Sequence, residues 1–183
     1  MKRSYLIIIA VLVVLVGLWY WQRNRGEEIA VDLVEEFAGA KKQSNLDPSV
    51  AFSVADITLN GETKRAINIH PTSRLTYHLT VPDGGKVHVS LGIKQETWDK
   101  QSDGVLFRIG VSDGQYEELL NQHVNPSNNQ GDRRWIPVIV DLSGYSGQEV
   151  DLIFNTNSSL PRQGDNPAWD WAVLGDPVIV KQK

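Results

Sequence analysis

The chain has 183 residues, which is enough for one ordinary domain. It contains no cysteine, and this excludes disulfides, thiolate metal sites, catalytic thiols and a lipid anchor on cysteine. The formal net charge is −4, so binding of nucleic acid through a basic surface is not expected.

An uncharged apolar segment, LIIIAVLVVLVGLWYW at 6–21, lies near the start of the chain. With the preceding Tyr5 it reaches seventeen residues, the short end of the range for a membrane-spanning helix, roughly 17–25 residues. We therefore predict that residues 1–25 form an anchor that contacts membrane lipid, chiefly through Leu6, Ile9, Leu12, Leu15, Trp19, Tyr20 and Trp21. A cleaved signal peptide is the alternative, although bulky aromatic residues stand where small residues normally precede cleavage.

Basic residues flank this segment on both sides, and the balance of charge sets the expected orientation. Lys2 and Arg3 precede it, whereas the arginines that follow it are succeeded by two glutamates. This pattern favours an N-terminus in the cytoplasm and a C-terminal domain on the periplasmic or extracellular side. We therefore expect a single-pass protein of the cytoplasmic membrane.

Residues 26–47 are predicted to form an amphipathic linker helix. Ile29, Leu33 and Phe37 recur at intervals of four residues, and acidic residues at the start and lysines at the end suit a helix dipole. This apolar stripe is a candidate partner interface. Two destinations remain open for it, the chain's own β domain and a neighbouring subunit beside the membrane.

Residues 48–183 show the period-two alternation of β-strands. The runs 75–81 and 87–93 alternate apolar and polar residues around a Pro-Asp-Gly-Gly turn, which predicts neighbouring antiparallel strands. Strands are also expected at 50–58, 62–69, 105–111, 135–142, 150–154 and 168–180, with a short helix at 116–123. So many short strands predict a mainly β fold, an antiparallel two-sheet sandwich or jelly roll.

Five strings in this region carry a family resemblance. They are GVLFRIGV at 104–111, RRWIPV at 133–138, VDLS at 140–143, QEVDL at 148–152 and DWAVLGDP at 170–177. Together they resemble bacterial extracytoplasmic galactose-binding-like, carbohydrate-module-like jelly-roll domains over roughly residues 50–180. The resemblance implies a domain of a kind often found on membrane-anchored proteins, which binds glycans or a structural calcium ion in many cases. It transfers no individual ligand residue.

No catalytic or cofactor motif is found in the chain, so we expect neither an enzyme nor a bound cofactor. Two of the four histidines, His78 and His88, lie on predicted neighbouring strands, but we expect them to be solvated rather than metal ligands. Acidic loop residues leave a structural calcium ion open, because calcium takes oxygen ligands in flexible geometry. These residues are Asp99, Asp103, Asp165, Asp170 and Asp176.

Four tryptophans lie within the predicted β domain. Trp135 and Trp171 fall inside predicted strands and are expected to be core residues. Trp98 and Trp169 lie at loop borders and form the candidate glycan platform, because the apolar face of a pyranose packs on an aromatic ring.

Two functions are compatible with these features. The first is a non-catalytic membrane accessory subunit whose extracytoplasmic sandwich packs on other subunits of a larger bacterial membrane complex, for example an electron-transport assembly. The alternative is a membrane-tethered glycan-binding module. The apolar stripe and the aromatic residues beside the membrane favour the first, and the candidate platform favours the second.

Overall fold

The computed structural model describes residues 26–158 and 168–183. This part of the chain forms a mainly β, antiparallel two-sheet sandwich, which confirms the predicted fold class. Its strands are β1 (Glu27–Asp32), β2 (Lys41–Ser44), β3 (Phe52–Leu59), β4 (Glu62–Ile69), β5 (Ser73–Thr80), β6 (Lys86–Ile93), β7 (Val105–Ser112), β8 (Tyr116–Val124), β9 (Ile136–Asp141), β10 (Glu149–Asn157) and β11 (Ala172–Gln182).

Helical structure in the described residues is short. One α-helical turn, α1 (Pro48–Ala51), precedes β3, and 3₁₀ turns occur at Glu35–Ala38, Gln95–Thr97, Gln130–Asp132 and Ser143–Tyr145. Within residues 26–158 and 168–183, no helix has the length and apolar character needed to cross a membrane. The predicted anchor, residues 1–25, lies outside the described residues.

The strands divide between two sheets. The first sheet has the order β3-β4-β11-β6-β9, with β1 paired to a different part of β11. The second sheet has the order β2-β5-β10-β7-β8. The expected strands at 50–58 and 62–69 are present as the β3–β4 hairpin, in which Asn60 and Gly61 both take positive φ angles. Such a turn matches the twist of the two strands that it joins.

The predicted pairing of 75–81 with 87–93 is wrong. These segments are β5 and β6, and they belong to opposite sheets, so His78 and His88 do not lie on neighbouring strands. The turn at 82–85 carries the chain from one sheet to the other. Alternation shows that each strand has one buried face, but both sheets face the same core, and the pattern therefore leaves the pairing partner open.

The predicted linker helix is also wrong. Residues 27–42 form β1, a 3₁₀ turn and the start of β2, because the backbone of Glu27–Asp32 pairs with β11. The three stripe residues consequently separate. Ile29 is 64% exposed, Leu33 is fully buried, and Phe37 is half-buried against the core. The expected helix at 116–123 is likewise a strand, β8, which pairs with β7 at the edge of the second sheet.

The main core lies between the two sheets. Ile67, Leu91 and Leu174 enter it from the first sheet, and Phe107 and Phe154 enter it from the second. A smaller cluster covers the outer side of the first sheet and consists of Leu59, Ala66, Trp98, Trp135 and Val173. The burial expected of Trp135 is confirmed, although its ring lies in this outer cluster rather than between the sheets.

Candidate functional site

The two members of the predicted glycan platform have different environments. Trp98 is 7% exposed, and its indole N–H donates a hydrogen bond of 2.8 Å to the carbonyl oxygen of Ile93. The exposure expected of Trp98 is therefore wrong, and its ring has no open face. Trp169 is 42% exposed, as its loop position predicted.

Trp169 belongs to a group of side chains at one end of the first sheet. His70 follows β4, Lys94 follows β6 and Trp171 precedes β11, and these three strands are neighbours, so their ends meet. We call this group the tryptophan cluster, and it consists of His70, Lys94, Lys100, Trp169 and Trp171.

The rings and cations of the tryptophan cluster lie close together. The ring centroids of Trp169 and Trp171 are 6.1 Å apart with an interplanar angle of 38°. The ring of His70 meets Trp171 edge-on at 6.3 Å. The ammonium of Lys100 lies 5.3 Å from the centroid of Trp169, and that of Lys94 lies 5.6 Å from Trp171. Both ammonium groups are within the range of a cation–π contact.

The backbone beneath Trp169 is tightly held. The neighbouring Asp170 is fully buried and accepts a hydrogen bond from the hydroxyl of Ser102. The amide of Lys94 donates to the carbonyl oxygen of Trp171 at 2.9 Å. Trp169 itself has a φ of 69°, a left-handed conformation that is strained for a bulky residue and that concentrates at functional positions. The exposed ring is thus presented from a rigid base.

His70 is uncharged in this surrounding at neutral pH. Burial lowers the pKa of His70, and the positive charge of Lys94 lowers it further. A neutral imidazole has one donor and one acceptor nitrogen, which suits contact with hydroxyl groups.

A second surface lies on the outer side of the second sheet, at the same end of the sandwich. The strand register places Gln43, Arg74, Asn155, Arg108 and Asn121 in one row across β2, β5, β10, β7 and β8. A groove of about 390 Å³ crosses this row and extends to Asn157. We call it the arginine groove.

Amides hold both arginines of this groove. The Nε of Arg74 donates to the Oδ1 of Asn155 at 2.8 Å, and the Nη2 of Arg108 donates to the Oδ1 of Asn157 at 2.8 Å. Asn155 is only 6% exposed. None of these residues was predicted from the sequence as part of a site. Their signal is the outward-facing polar position on each strand, but only the pairing of the strands shows that these positions adjoin.

An aromatic ring adjoins the row. Tyr116 is 41% exposed, and its ring lies over Gly110, where an added Cβ would stand 2.7 Å from its Cε2 atom. Partial burial, reinforced by the charge of Glu118, raises the pKa of Tyr116, although Arg108, Arg74 and a hydrogen bond from Asn155 oppose this. The phenol therefore keeps its proton at neutral pH.

Two of the aspartates considered as calcium ligands form separate ion pairs with basic residues. Asp99 pairs with Arg133 at 2.8 Å and Asp176 pairs with Lys64 at 3.2 Å, while Asp165 lies outside the described residues. Across 26–158 and 168–183, no three histidine, aspartate or glutamate side chains converge as metal ligands would.

Comparisons with known proteins add one sequence relative. No protein-family model matches the chain. An uncharacterized protein of Archaeoglobus fulgidus is 36% identical over 101 residues, a match that covers 54% of this chain and 25% of that protein. The chain thus aligns with about a quarter of the length of this relative.

Comparisons with solved structures address the fold. CBM51 from Clostridium perfringens GH95, solved in complex with methyl-galactose, matches with a TM-score of 0.53 and 18% identity, covering 85% of this chain and 100% of that one. The structure of the M60 catalytic domain with the CBM51-1 and CBM51-2 domains of Clostridium perfringens ZmpB also matches with a TM-score of 0.53 and 18% identity. This match covers 87% of this chain and 14% of that one. The sandwich therefore has the jelly-roll fold seen in carbohydrate-binding modules.

Proposed function

We propose that this protein is a non-catalytic glycan-binding module that uses the tryptophan cluster as its binding site. The observation that carries the proposal is the exposed ring of Trp169, which is held on a rigid base at the end of a sandwich with the fold of carbohydrate-binding modules. The solved CBM51 domain from GH95 is in complex with methyl-galactose, which makes galactosides the first ligands to test.

The chemistry of the tryptophan cluster suits a sugar. The C–H face of a pyranose packs against an indole ring, and the surrounding hydroxyl groups need hydrogen-bond partners. Lys94 beside Trp171 and Lys100 beside Trp169 supply donors, and the neutral His70 supplies one donor and one acceptor. Few polar groups converging on an apolar platform are the usual composition of a small-molecule site.

The apolar segment 6–21 completes the proposal as a membrane tether, with the module on the periplasmic or extracellular side. The accessory-subunit hypothesis rested on a stripe of Ile29, Leu33 and Phe37. Because Leu33 is buried in the chain's own core, that stripe does not form an exposed docking surface, and the hypothesis loses its local support.

The test is glycan binding by the full chain in mild detergent, using a broad glycan array followed by titration with methyl-galactoside and the strongest array ligands. Trp169→Asn removes the ring, and asparagine tolerates the left-handed backbone at this position. We expect this variant to lose glycan binding while its melting temperature stays unchanged.

The matched control is Ile139→Asn, which removes another exposed apolar side chain, on β9, without touching the tryptophan cluster. It should bind glycans as the wild type does. A wild-type chain that binds nothing on the array, or a Trp169→Asn variant with unchanged affinity, would contradict the proposal.

A further inference from the structure

We propose that the arginine groove is a second binding site, specific for an acidic saccharide whose carboxylate or sulfate group is held by Arg74 and Arg108. The proposal goes beyond the tryptophan cluster, with which the groove shares no residue. Both sites adjoin the loop 70–72 between β4 and β5, since His70 belongs to the tryptophan cluster and Thr72 lines the groove.

The charge of the groove is the first argument. Within the described part of the chain, its lining contains two arginines and no acidic residue, in a protein whose net charge is −4. Among the described residues, no carboxylate lies within ion-pair distance of Arg74, and Arg108 has only Glu118, at 3.7 Å. The guanidinium of Arg74, without a carboxylate partner, and that of Arg108, with one at long range, can each bind an acidic group of a ligand in the two-pronged geometry that arginine prefers.

The orientation of the arginines is the second argument. Each guanidinium donates one N–H to an asparagine oxygen, and these bonds leave other N–H groups of both arginines for a ligand. Asn155 is buried and lies on the central strand of the sheet, so it cannot move easily. A site that is ordered before binding loses less conformational entropy when its ligand arrives.

The ring of Tyr116 selects a saccharide over a small inorganic anion. It lies over Gly110 on the same outer face and is partly exposed. The amides of Gln43 and Asn157 line the groove itself and can bond to hydroxyl groups. An aromatic face, amides and an arginine pair match the ring, the hydroxyls and the acidic group of one acidic sugar.

The test is calorimetric titration of the full chain in mild detergent with two pairs of probes. The first pair is tetragalacturonate and its methyl ester, and the second is a sulfated galactose tetrasaccharide and its desulfated form. We expect at least one acidic probe to bind about tenfold or more tightly than its neutral counterpart, because hydrogen bonds to a charged group are stronger than those to a neutral one. The probe pair that shows the difference identifies the acidic group as carboxylate or sulfate.

Arg74→Met is the decisive variant, because Arg74 is exposed and its loss leaves the core intact. This variant should bind the acidic probe about tenfold more weakly than the wild type does. Arg65→Met, which removes an exposed arginine on β4 of the opposite sheet, is the matched control and should bind like the wild type. Added salt should weaken binding by the wild type more than by Arg74→Met.

The outcomes separate this proposal from the proposed function. Trp169→Asn should keep full affinity for the acidic probe, whether or not it loses neutral glycans. The proposal is overturned if neither acidic probe binds more tightly than its neutral partner, or if Arg74→Met and the wild type bind the acidic probe equally.

Discussion

The hydroxyl of Tyr77 donates a hydrogen bond of 2.8 Å to the backbone carbonyl oxygen of Leu33. Both side chains are buried, and the amide of Leu33 donates in turn to the carbonyl oxygen of Pro177 at 3.0 Å. The segment after β1 is thereby joined to β5 in one sheet and to β11 in the other. Residues near the start of the described region are consequently part of the sandwich and not a separate linker.

Tyr77→Phe tests this connection. It removes the hydroxyl and leaves the carbonyl oxygen of Leu33 buried without that partner, so we expect the free energy of unfolding to fall by about 1–3 kcal/mol. Urea denaturation of the full chain in mild detergent measures it. Tyr116→Phe should lower the value by less than Tyr77→Phe does, because Tyr116 is 41% exposed and water can take the place of its hydroxyl. Equal stability of Tyr77→Phe and wild type would mean that the bond contributes nothing.

Leu33→Asp tests the position of the apolar stripe. A carboxylate at a fully buried site without a cation is costly, so we expect a strongly lowered melting temperature or failure to fold. Leu33→Ala, a milder change, should cost about 2–5 kcal/mol. Ile29→Asp, at an exposed position four residues earlier, should leave the melting temperature nearly unchanged. If Ile29→Asp instead removes copurifying proteins from the membrane, the accessory-subunit hypothesis regains support.

The ring of Trp135 lies on the outer face of the first sheet, next to Gly175. An added Cβ at Gly175 would stand 2.8 Å from the Cζ3 atom of Trp135 and 2.8 Å from the Cδ atom of Lys64. Gly175→Ala should therefore lower the free energy of unfolding by about 1–3 kcal/mol through overpacking. Gly144→Ala is the control, since nothing lies within 4 Å of its added Cβ. Chemical denaturation of both variants compares them, and equal stability would show that the ring moves aside freely.

The lowered pKa of His70 predicts that the stability of the protein depends on pH. Burial and the charge of Lys94 lower the pKa of His70 in the folded state, so this histidine binds a proton more weakly in the folded chain than in the unfolded chain. Stability contributed by neutral His70 is present above the unfolded pKa of about 6.5 and is lost as pH falls below it. Between pH 7 and pH 5, the wild type should lose more stability than His70→Gln. Parallel curves for the two proteins would contradict this prediction.

For His78 we expect stability to depend on pH in the opposite direction. Hydrogen bonds to Asp151 and Glu149 raise the pKa of His78 in the folded state. Its contribution is present below the unfolded pKa and disappears as pH rises through the folded pKa. The wild type should therefore be more stable than His78→Gln at pH 5, and this difference should shrink towards pH 8. The difference should be small because the histidine and its carboxylate partners are exposed. Melting curves from pH 5 to pH 8 measure it, and a larger effect at pH 8 than at pH 5 would be inconsistent with it.

Local patterns account for the parts of the fold that were predicted correctly. Alternation in the segments that became β5 and β6 depends on which neighbours along one strand face the core, so it identifies a strand without reference to other strands. The Asn60-Gly61 turn is local in the same way, because both residues tolerate positive φ. The exposure of Trp169 followed from its position at the border of a polar loop.

Long-range pairing explains the wrong predictions. The spacing of Ile29, Leu33 and Phe37 fits one face of a helix, but the backbone of β1 finds its hydrogen-bond partners in β11, some 150 residues later in the chain. Trp98 lies at a loop border as Trp169 does, yet it packs in the cluster on the outer face of the first sheet. No local pattern distinguishes these two tryptophans.

The sequence by itself determined that this chain has a strand-rich body, an apolar segment at 6–21 and no thiol chemistry, because each of these depends only on composition or on neighbours along the chain. Tertiary structure alone decided that Arg74, Asn155 and Arg108 adjoin on one face, since they come from β5, β10 and β7. The physical reason is that register between distant strands is selected by the packing of two whole sheets around their shared core.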